Sequence, residues 1–213
     1  MRVSNERYAK DLRSIELARW MLAYEARTQT VCAWTKLTSD RVRNLARTQV
    51  YEEPTREAQR HRGPSPSRLS ALLATARMRS EAAAVAGLCR VLQVLPEKPL
   101  PSARTALPGL TRGERLMAAF ELFRGTVPQA RLTLEQLVLL ILTLAEGDSW
   151  GMDHCTRCHA TILIDRLGVA PRRLCMQCTA TESGTHEPPV GSAPAPAECL
   201  EPSEACVQQR LFD

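Results

Sequence analysis

The sequence predicts a mainly α-helical protein that ends in a small cysteine-rich module. Ala, Leu and Arg dominate its 213 residues, aromatic residues make up only 4%, and runs of β-branched residues are few. Ala and unbranched side chains lose little conformational freedom in a helix, so this composition favours helices. Two Cys-x2-Cys pairs, Cys155 with Cys158 and Cys175 with Cys178, mark the module near the C-terminal end.

Three helices are predicted in the N-terminal quarter. Apolar residues recur at helical spacing between residues 5 and 26, which predicts an amphipathic helix there. A second helix is predicted over residues 28–35. A third begins after Thr38 or Ser39, since either side chain is a suitable N-cap. The buried side of the first helix would carry Leu12, Ile15, Ala18, Leu22 and Ala26.

Further helices are predicted beyond a proline-containing loop at 52–67. Residues 69–95 are rich in Ala and Leu, which indicates a long or broken helix, and the prolines of 96–108 mark a linker. Two segments, 111–114 and 133–136, have the form of capping boxes. Helices are therefore predicted over 114–124 and 134–145, and the first of these would bury Leu116, Met117, Phe120 and Phe123.

Charge is distributed unevenly along the chain. Residues 1–80 carry 16 Lys and Arg against 8 Asp and Glu, a net charge of +8, whereas residues 180–213 carry a net charge of −5. A basic region of this kind indicates either a polyanionic partner or simply a solvated Arg-rich surface. The first twenty residues are too charged for a signal peptide, and the most apolar run, 137–145, is too short to span a bilayer. We therefore expect a cytoplasmic protein without a membrane segment, in which thiols stay reduced.

The two cysteine pairs predict one structural zinc ion. Sixteen residues separate Cys158 from Cys175, which fits the Cys-x2-Cys-x15–20-Cys-x2-Cys pattern of zinc sites. Four thiolates complete a tetrahedral site and leave no position for water or substrate, so the ion would not be catalytic. Residues 161–164 between the pairs would form a short strand. The sequence contains no phosphate-binding Gly-rich loop, no HExxH motif and no GxSxG motif, so it gives no support for an enzyme.

The nearby histidines and the four other cysteines are not assigned as zinc ligands. His154 and His159 flank the first pair and are alternative ligands, but surface or supporting roles fit them better. Cys32 and Cys89 lie in helical patterns and are expected to be small buried hydrophobic residues. Two further cysteines lie in the acidic tail, where free thiols are a simpler interpretation than a second metal site: Cys199 and Cys206.

Residues 28–45 also fit a helix-turn-helix. Val31 and Cys32 would face inward from the first helix, Leu37 would fill the turn, and Val42 and Leu45 would anchor the second helix. Its exposed face would carry Arg and Asn, which contact base edges and phosphates in DNA complexes. Ordinary helix pairs also fit so loose a template, and Lys36 stands where Gly is common. The exposed residues are predicted to be Ser39, Asp40, Arg41, Arg43, Asn44, Arg47 and Thr48.

The two motifs together, separated by a helical middle, resemble the FlhC family of bacterial flagellar transcription activators. The resemblance runs from about residue 13 to residue 178. It rests on the segment 13-RSIELARWMLAYEARTQTVCAWTKLTSDRVRNLARTQV-50 and on the cysteine pairs with their sixteen-residue gap. The Ala-rich middle, the loop at 52–66, the linker and the acidic tail depart from the family's usual pattern.

The resemblance implies a transcription activator of flagellar genes that binds promoter DNA, one Zn²⁺ ion, an FlhD-like partner in a hetero-oligomer, and RNA polymerase. Cys155, Cys158, Cys175 and Cys178 would be the zinc ligands. Candidate DNA contacts, chosen for chemistry and expected exposure, are Arg41, Arg43, Asn44, Arg47, Arg157, Arg166, Arg172 and Arg173.

The resulting organisation has three parts. Residues 1–148 would form a helical DNA-binding and assembly domain with the N-terminal helix-turn-helix-like segment. Residues 149–180 would form a zinc-ribbon-like module, and 181–213 would be a disordered acidic, Pro-rich tail. Two alternatives stay open: a zinc-stabilised protein-interaction adaptor without DNA binding, and a paralogous regulator of non-flagellar genes.

Overall fold

A computed structural model describes residues 5–52, 66–168 and 173–182. Within these ranges the chain is mainly helical, as the sequence predicted, with one two-stranded antiparallel sheet. The elements are, in order, α1 (Asn5–Ala23), α2 (Thr28–Thr35), α3 (Ser39–Glu52), α4 (Leu69–Leu72), α5 (Ala76–Val91), α6 (Ala103–Ala106), α7 (Leu110–Thr126), α8 (Leu134–Glu146), β1 (Trp150–His154), β2 (Thr161–Asp165) and α9 (Met176–Glu182). Most of the predicted loop at 52–67 (residues 53–65) and of the predicted tail at 181–213 (residues 183–213, with Cys199 and Cys206) lies outside the described residues.

The first helix is shorter than predicted, and its buried face is only partly the predicted one: Ala18 is buried, as is Ala26 beyond the end of the helix. α1 ends at Ala23, where Glu25 turns the chain with a φ of 60°. Leu12, expected inside, is 41% exposed, and Leu17 lies in the core instead. Leu17 packs against Gly113 of α7, where a Cβ atom would come within 2.7 Å of the leucine Cδ2. Close approach of α7 therefore sets the buried face of α1, and periodicity alone did not show it.

The two predicted capping boxes have opposite outcomes. Thr133 caps α8 as predicted: its Oγ1 accepts from Gln136 N–H, and Gln136 Oε1 accepts from Thr133 N–H. The prediction for Thr111 is wrong, because α7 begins at Leu110 and its N-cap is Gly109, with no side-chain cap. The 69–95 segment is broken, since α4 and α5 are separate and Thr75 caps the latter through the Met78 N–H.

Two buried carboxylates tie distant segments of the helical body (α1–α8) together. Glu81 of α5 accepts from Arg77 and from the backbone N–H groups of Arg131 and Leu132. Burial raises the pKa of Glu81, but these hydrogen bonds outweigh it and hold the pKa below its usual value. Glu135 of α8 accepts from Arg27 N–H at 2.8 Å.

The same Glu135 carboxylate also accepts from the Thr30 hydroxyl at 3.0 Å. The N-cap residue of α2, Arg27, makes no side-chain cap of its own. A carboxylate from more than a hundred residues away therefore satisfies the start of α2, and its negative charge suits a helix N-terminus.

The β1–β2 hairpin lies between the helical core and the cysteines. Met152 pairs with Leu163 across the sheet, and both pack against the helical core together with Trp150. The alternate residues of β2, Ile162 and Ile164, pack on the other side with the cysteines. Because side chains alternate across a strand, this short sheet contacts both regions at once. The sequence predicted β2 but missed β1, whose residues show no β-branched run.

Candidate metal centre and helix-turn-helix surface

The four cysteines come together at one point. The Sγ atoms of Cys155, Cys158, Cys175 and Cys178 all lie within 4.8 Å of one another. Cys158 Sγ and Cys175 Sγ are 3.6 Å apart. A tetrahedral ion with metal–sulfur bonds of about 2.3 Å needs sulfurs about 3.8 Å apart, so the arrangement fits a metal ion held by four cysteines. Neither His154 nor His159 belongs to this group.

Different elements position the two pairs. Cys155 and Cys158 lie in the tight turn between β1 and β2, where Cys155 N–H donates to Ala160 O and His159 N–H donates to Cys155 O. His159 adopts a φ of 59°, which allows the chain to reverse. Cys175 directly precedes α9 and Cys178 lies in its first turn. The second pair therefore comes from the start of a helix.

Backbone N–H groups support the sulfurs. Cys175 N–H donates to Cys155 Sγ at 3.3 Å, and Cys178 N–H donates to Cys175 Sγ at 3.4 Å. Hydrogen bonds from the Cys158 and Cys175 backbone lower the pKa of Cys155 to about 6. The neighbouring sulfurs raise the pKa of Cys178 to about 12, the largest cause being its hydrogen bond with Cys175. One thiolate is thus favoured, and a cation would be needed to stabilise four negative sulfurs together.

Two arginines near the module take part in its structure. The backbone O of Arg173 accepts from Thr156 N–H at 2.9 Å, which joins the two cysteine segments, and its side chain pairs with Asp153 at 3.4 Å. Arg166 donates from Nη1 to Gly147 O at 2.6 Å. Arg157 is exposed, and Arg172 lies outside the described residues.

The predicted helix-turn-helix segment folds as two helices joined by a short turn. Val31 and Val42 are fully buried and Leu37 is 8% exposed, as predicted, and Trp34 adds a large buried side chain that the sequence analysis did not single out. Lys36 ends α2 in the left-handed region with a φ of 62°, at the position where Gly is common. Thr38 is the N-cap of α3, since its Oγ1 accepts from Arg41 N–H.

The outward face of α3 matches the prediction. All seven residues expected to be exposed are exposed. Two of the arginines make ion pairs: Arg41 donates to both carboxylate oxygens of Asp11, at 2.9 and 2.6 Å, and Arg43 pairs with Asp40 at 3.0 Å. The Asp11 contact crosses from α1 and could not be read from the spacing of residues. Arg47 makes no ion pair with the described residues.

The remaining observations concern the two cysteines of the helical body, the length of the helices and the comparison with known proteins. Cys89 is fully buried, as predicted, and burial raises its pKa to about 12; Cys32 is only partly buried. In the part of the chain that the structure describes, every helix is too short or too polar to cross a membrane. No protein-family model matches the chain, and no curated protein matches it significantly.

Proposed function

We propose that the protein is a DNA-binding transcription activator of flagellar genes that works in the cytoplasm as a hetero-oligomer with an FlhD-like partner and recruits RNA polymerase. The observation that carries the proposal is the α2–α3 pair. Its inner side is anchored by buried apolar residues, and its outer side exposes Arg and Asn along a single helix. Such a helix has the chemistry needed to enter a major groove.

The ion pairs on α3 are compatible with DNA contact. The side chains of Arg41 and Asp11 are 45% and 46% exposed, and exposed pairs of this kind contribute only about 0–1 kcal/mol. A phosphate or a guanine edge can therefore replace the carboxylate at little cost. Arg47 has no such competitor among the described side chains, and we expect it to make the stronger contact.

We infer that the four cysteines hold zinc and that the ion is structural. Four sulfurs that lie close enough together for tetrahedral coordination favour zinc, and they would occupy every position around it. The residues that would hold the ion are Cys155, Cys158, Cys175 and Cys178. Its role would be to join the hairpin turn to α9, and we assign it no catalytic chemistry.

The test is DNA binding by the chain co-expressed with the FlhD-like protein of the same genome. We expect the two to co-purify with about one zinc per chain and to bind a flagellar promoter fragment more tightly than shuffled DNA of the same length. Arg47→Ala should weaken promoter binding by about 1–3 kcal/mol if it contacts a base. Arg104→Ala, which removes an exposed charge from α6, serves as the control and should change little.

The salt dependence of DNA binding shows whether Arg47 contacts a base or a phosphate. If Arg47 contacts a phosphate, its removal lowers the slope of log K against log salt by about 0.9 and affects all sequences alike. Equal affinity of the complex for promoter and shuffled DNA would contradict the proposal and favour the zinc-stabilised adaptor. A soluble, monomeric chain that binds the promoter equally well alone would show that the partner is not needed.

A further inference from the structure

A groove between the helical body and the hairpin brings three cationic side chains together. It is small, with a cavity volume of about 100 Å³. Its wall is formed by the end of α5, the proline-containing linker, the end of α8, β1 and the residue that follows β2. The cations are Arg90, Lys98 and Arg166, and Glu97 is the one acidic residue among those that line it.

These cations have no carboxylate partner among the described residues. Each is exposed, and none makes an ion pair there, although exposed arginines elsewhere do, such as Arg13 with Glu114 and Arg41 with Asp11. Three positive charges facing one concave surface repel one another unless an anion lies between them. The groove therefore carries an excess of positive charge that the described part of the chain does not neutralise.

The fold holds Arg166 in place. Its Nη1 donates to Gly147 O, and its guanidinium lies over Gly151, where a Cβ atom would come within 2.7 Å of Nε. A guanidinium has five N–H donors in a rigid fork, so one bond to Gly147 leaves four for a ligand. Because the fork is already oriented, little side-chain freedom is lost when an anion binds.

The nearby end of α8 does not oppose an anion strongly. The C-terminal end of a helix carries partial negative charge on its last carbonyl groups. Here Leu100 N–H donates to Ala145 O at 2.8 Å, and Arg166 donates to Gly147 O. Both carbonyl groups are thus already occupied by hydrogen-bond donors.

We propose that this groove is a binding site for a phosphoryl group, with Arg166 as the oriented fork and Arg90 and Lys98 as flanking charges. Phosphate suits it because it carries up to two charges and accepts bidentate bonds from a guanidinium. The group comes either from a free phosphorylated ligand or from a nucleic acid backbone. Neither source requires the FlhD-like partner, so the site can fail or hold independently of the proposed function.

The probe is inorganic pyrophosphate, titrated into the full-length, metal-loaded chain by calorimetry and by NMR of the Arg side-chain N–H groups. Ionic strength is held constant with chloride. We expect saturable binding with shifts at Arg166, and at least tenfold weaker binding by the double variant Arg90→Gln, Lys98→Gln. Arg68→Gln with Arg104→Gln removes two exposed charges outside the groove and should leave the affinity unchanged.

A second variant separates the site from general charge attraction. Gly151→Ala places a methyl group where the Arg166 fork lies, and the flexible end of that side chain can move away while the strand persists. It should lose pyrophosphate affinity while it keeps its metal content and unfolds cooperatively, with a stability loss no larger than that from removing one hydrogen bond. Equal affinity in the wild-type chain and in both groove variants, or no saturable binding above chloride, would overturn the proposal.

A duplex DNA arm identifies the source of the phosphate. If backbone phosphates occupy the groove, DNA displaces pyrophosphate, and the Arg90→Gln, Lys98→Gln variant has a salt slope lower by about 2. If a free ligand occupies it, DNA and pyrophosphate bind independently and the slope stays the same. Both results support a phosphoryl site, and they differ only in what supplies the phosphoryl group.

Discussion

The helical body and the cysteine module, which comprises β1, β2, the turn between them and α9, bury very different amounts of apolar side chain. In the body, large residues such as Trp34, Phe120 and Phe123 are almost fully buried in one continuous core. Among the described residues, the module's own buried cluster consists of Cys155, Ile162 and Cys178, so two of its three members belong to the four-cysteine group. The body can be stable through hydrophobic burial, whereas the module has little of its own and would depend on the proposed ion for its stability.

Loss of the metal ion should give the largest loss of structure, and that loss should be confined to the cysteine module. We expect Cys175→Ser to reduce bound metal from about one ion per chain to nearly none, because three thiolates hold zinc far less tightly than four. Hydrogen exchange should then show loss of protection in α9 and in the turn between the strands, while the body keeps its protection.

Cys32→Ser is the matched control, since Cys32 lies in α2 outside the four-cysteine group. It should keep the metal. Loss of protection throughout α1–α8 in the Cys175 variant would mean that the body also depends on the ion. Lower pH should weaken metal binding as well, because protons compete for the thiolates.

Truncation of a large core side chain should instead destabilise the helical body. Phe120 is 2% exposed, and its ring meets that of Tyr24 edge to face at 5.2 Å. Phe120→Ala should lower the free energy of unfolding by about 3–5 kcal/mol because it leaves a cavity. Leu122→Ala, two residues along α7 and 50% exposed, should change it by no more than about 0.5 kcal/mol. Denaturant titration measures both, and comparable losses in the two variants would contradict the assignment of the core.

A substitution at Glu81 tests how much buried polar contacts contribute to the stability of the body. Glu81→Gln keeps the shape but weakens the bonds to Arg77 and to two backbone N–H groups, so we expect a loss of about 1–3 kcal/mol at neutral pH. The folded pKa of Glu81 is depressed, so its contribution is present above the ordinary carboxyl pKa and is lost as pH falls through the folded value.

The difference between the wild-type chain and the Glu81 variant should therefore shrink below about pH 4. Glu114→Gln is the control, because it breaks a more exposed pair with Arg13 that is worth about 0–1 kcal/mol. A Glu81 variant whose stability difference stays constant down to low pH would rule out this ionised contact.

The smallest loss of stability is expected from removing a helix N-cap, because the body already has a large core. Thr133→Ala removes the cap of α8 and should cost about 1 kcal/mol. Thr111→Ala alters the similar sequence that does not cap α7 and should cost clearly less. Thermal unfolding of the two variants side by side measures the difference, and equal losses would show that the hydrogen-bonded box adds nothing.

The sequence predicted what depends on local spacing. The cysteine pairs, the α2–α3 segment and the exposed face of α3 could all be predicted, because each depends on residues close in the chain. Predictions failed where a distant segment decides the outcome. Leu12 is exposed because Gly113 brings α7 against Leu17, and β1 forms because its partner is β2. Asp11 beside Arg41 and the groove around Arg166 likewise need the tertiary fold.

The Glu135 contact bears on how this protein can be divided for study. The first turn of α2 receives its acceptor from α8, so a fragment containing only residues 5–52 would lack the group that satisfies Arg27 and Thr30. It would also expose the side of α1 that packs on α7. DNA-binding measurements on an isolated N-terminal peptide would therefore report on a frayed helix pair. Expression boundaries that retain α8 are needed to keep the proposed DNA-binding surface in its native form.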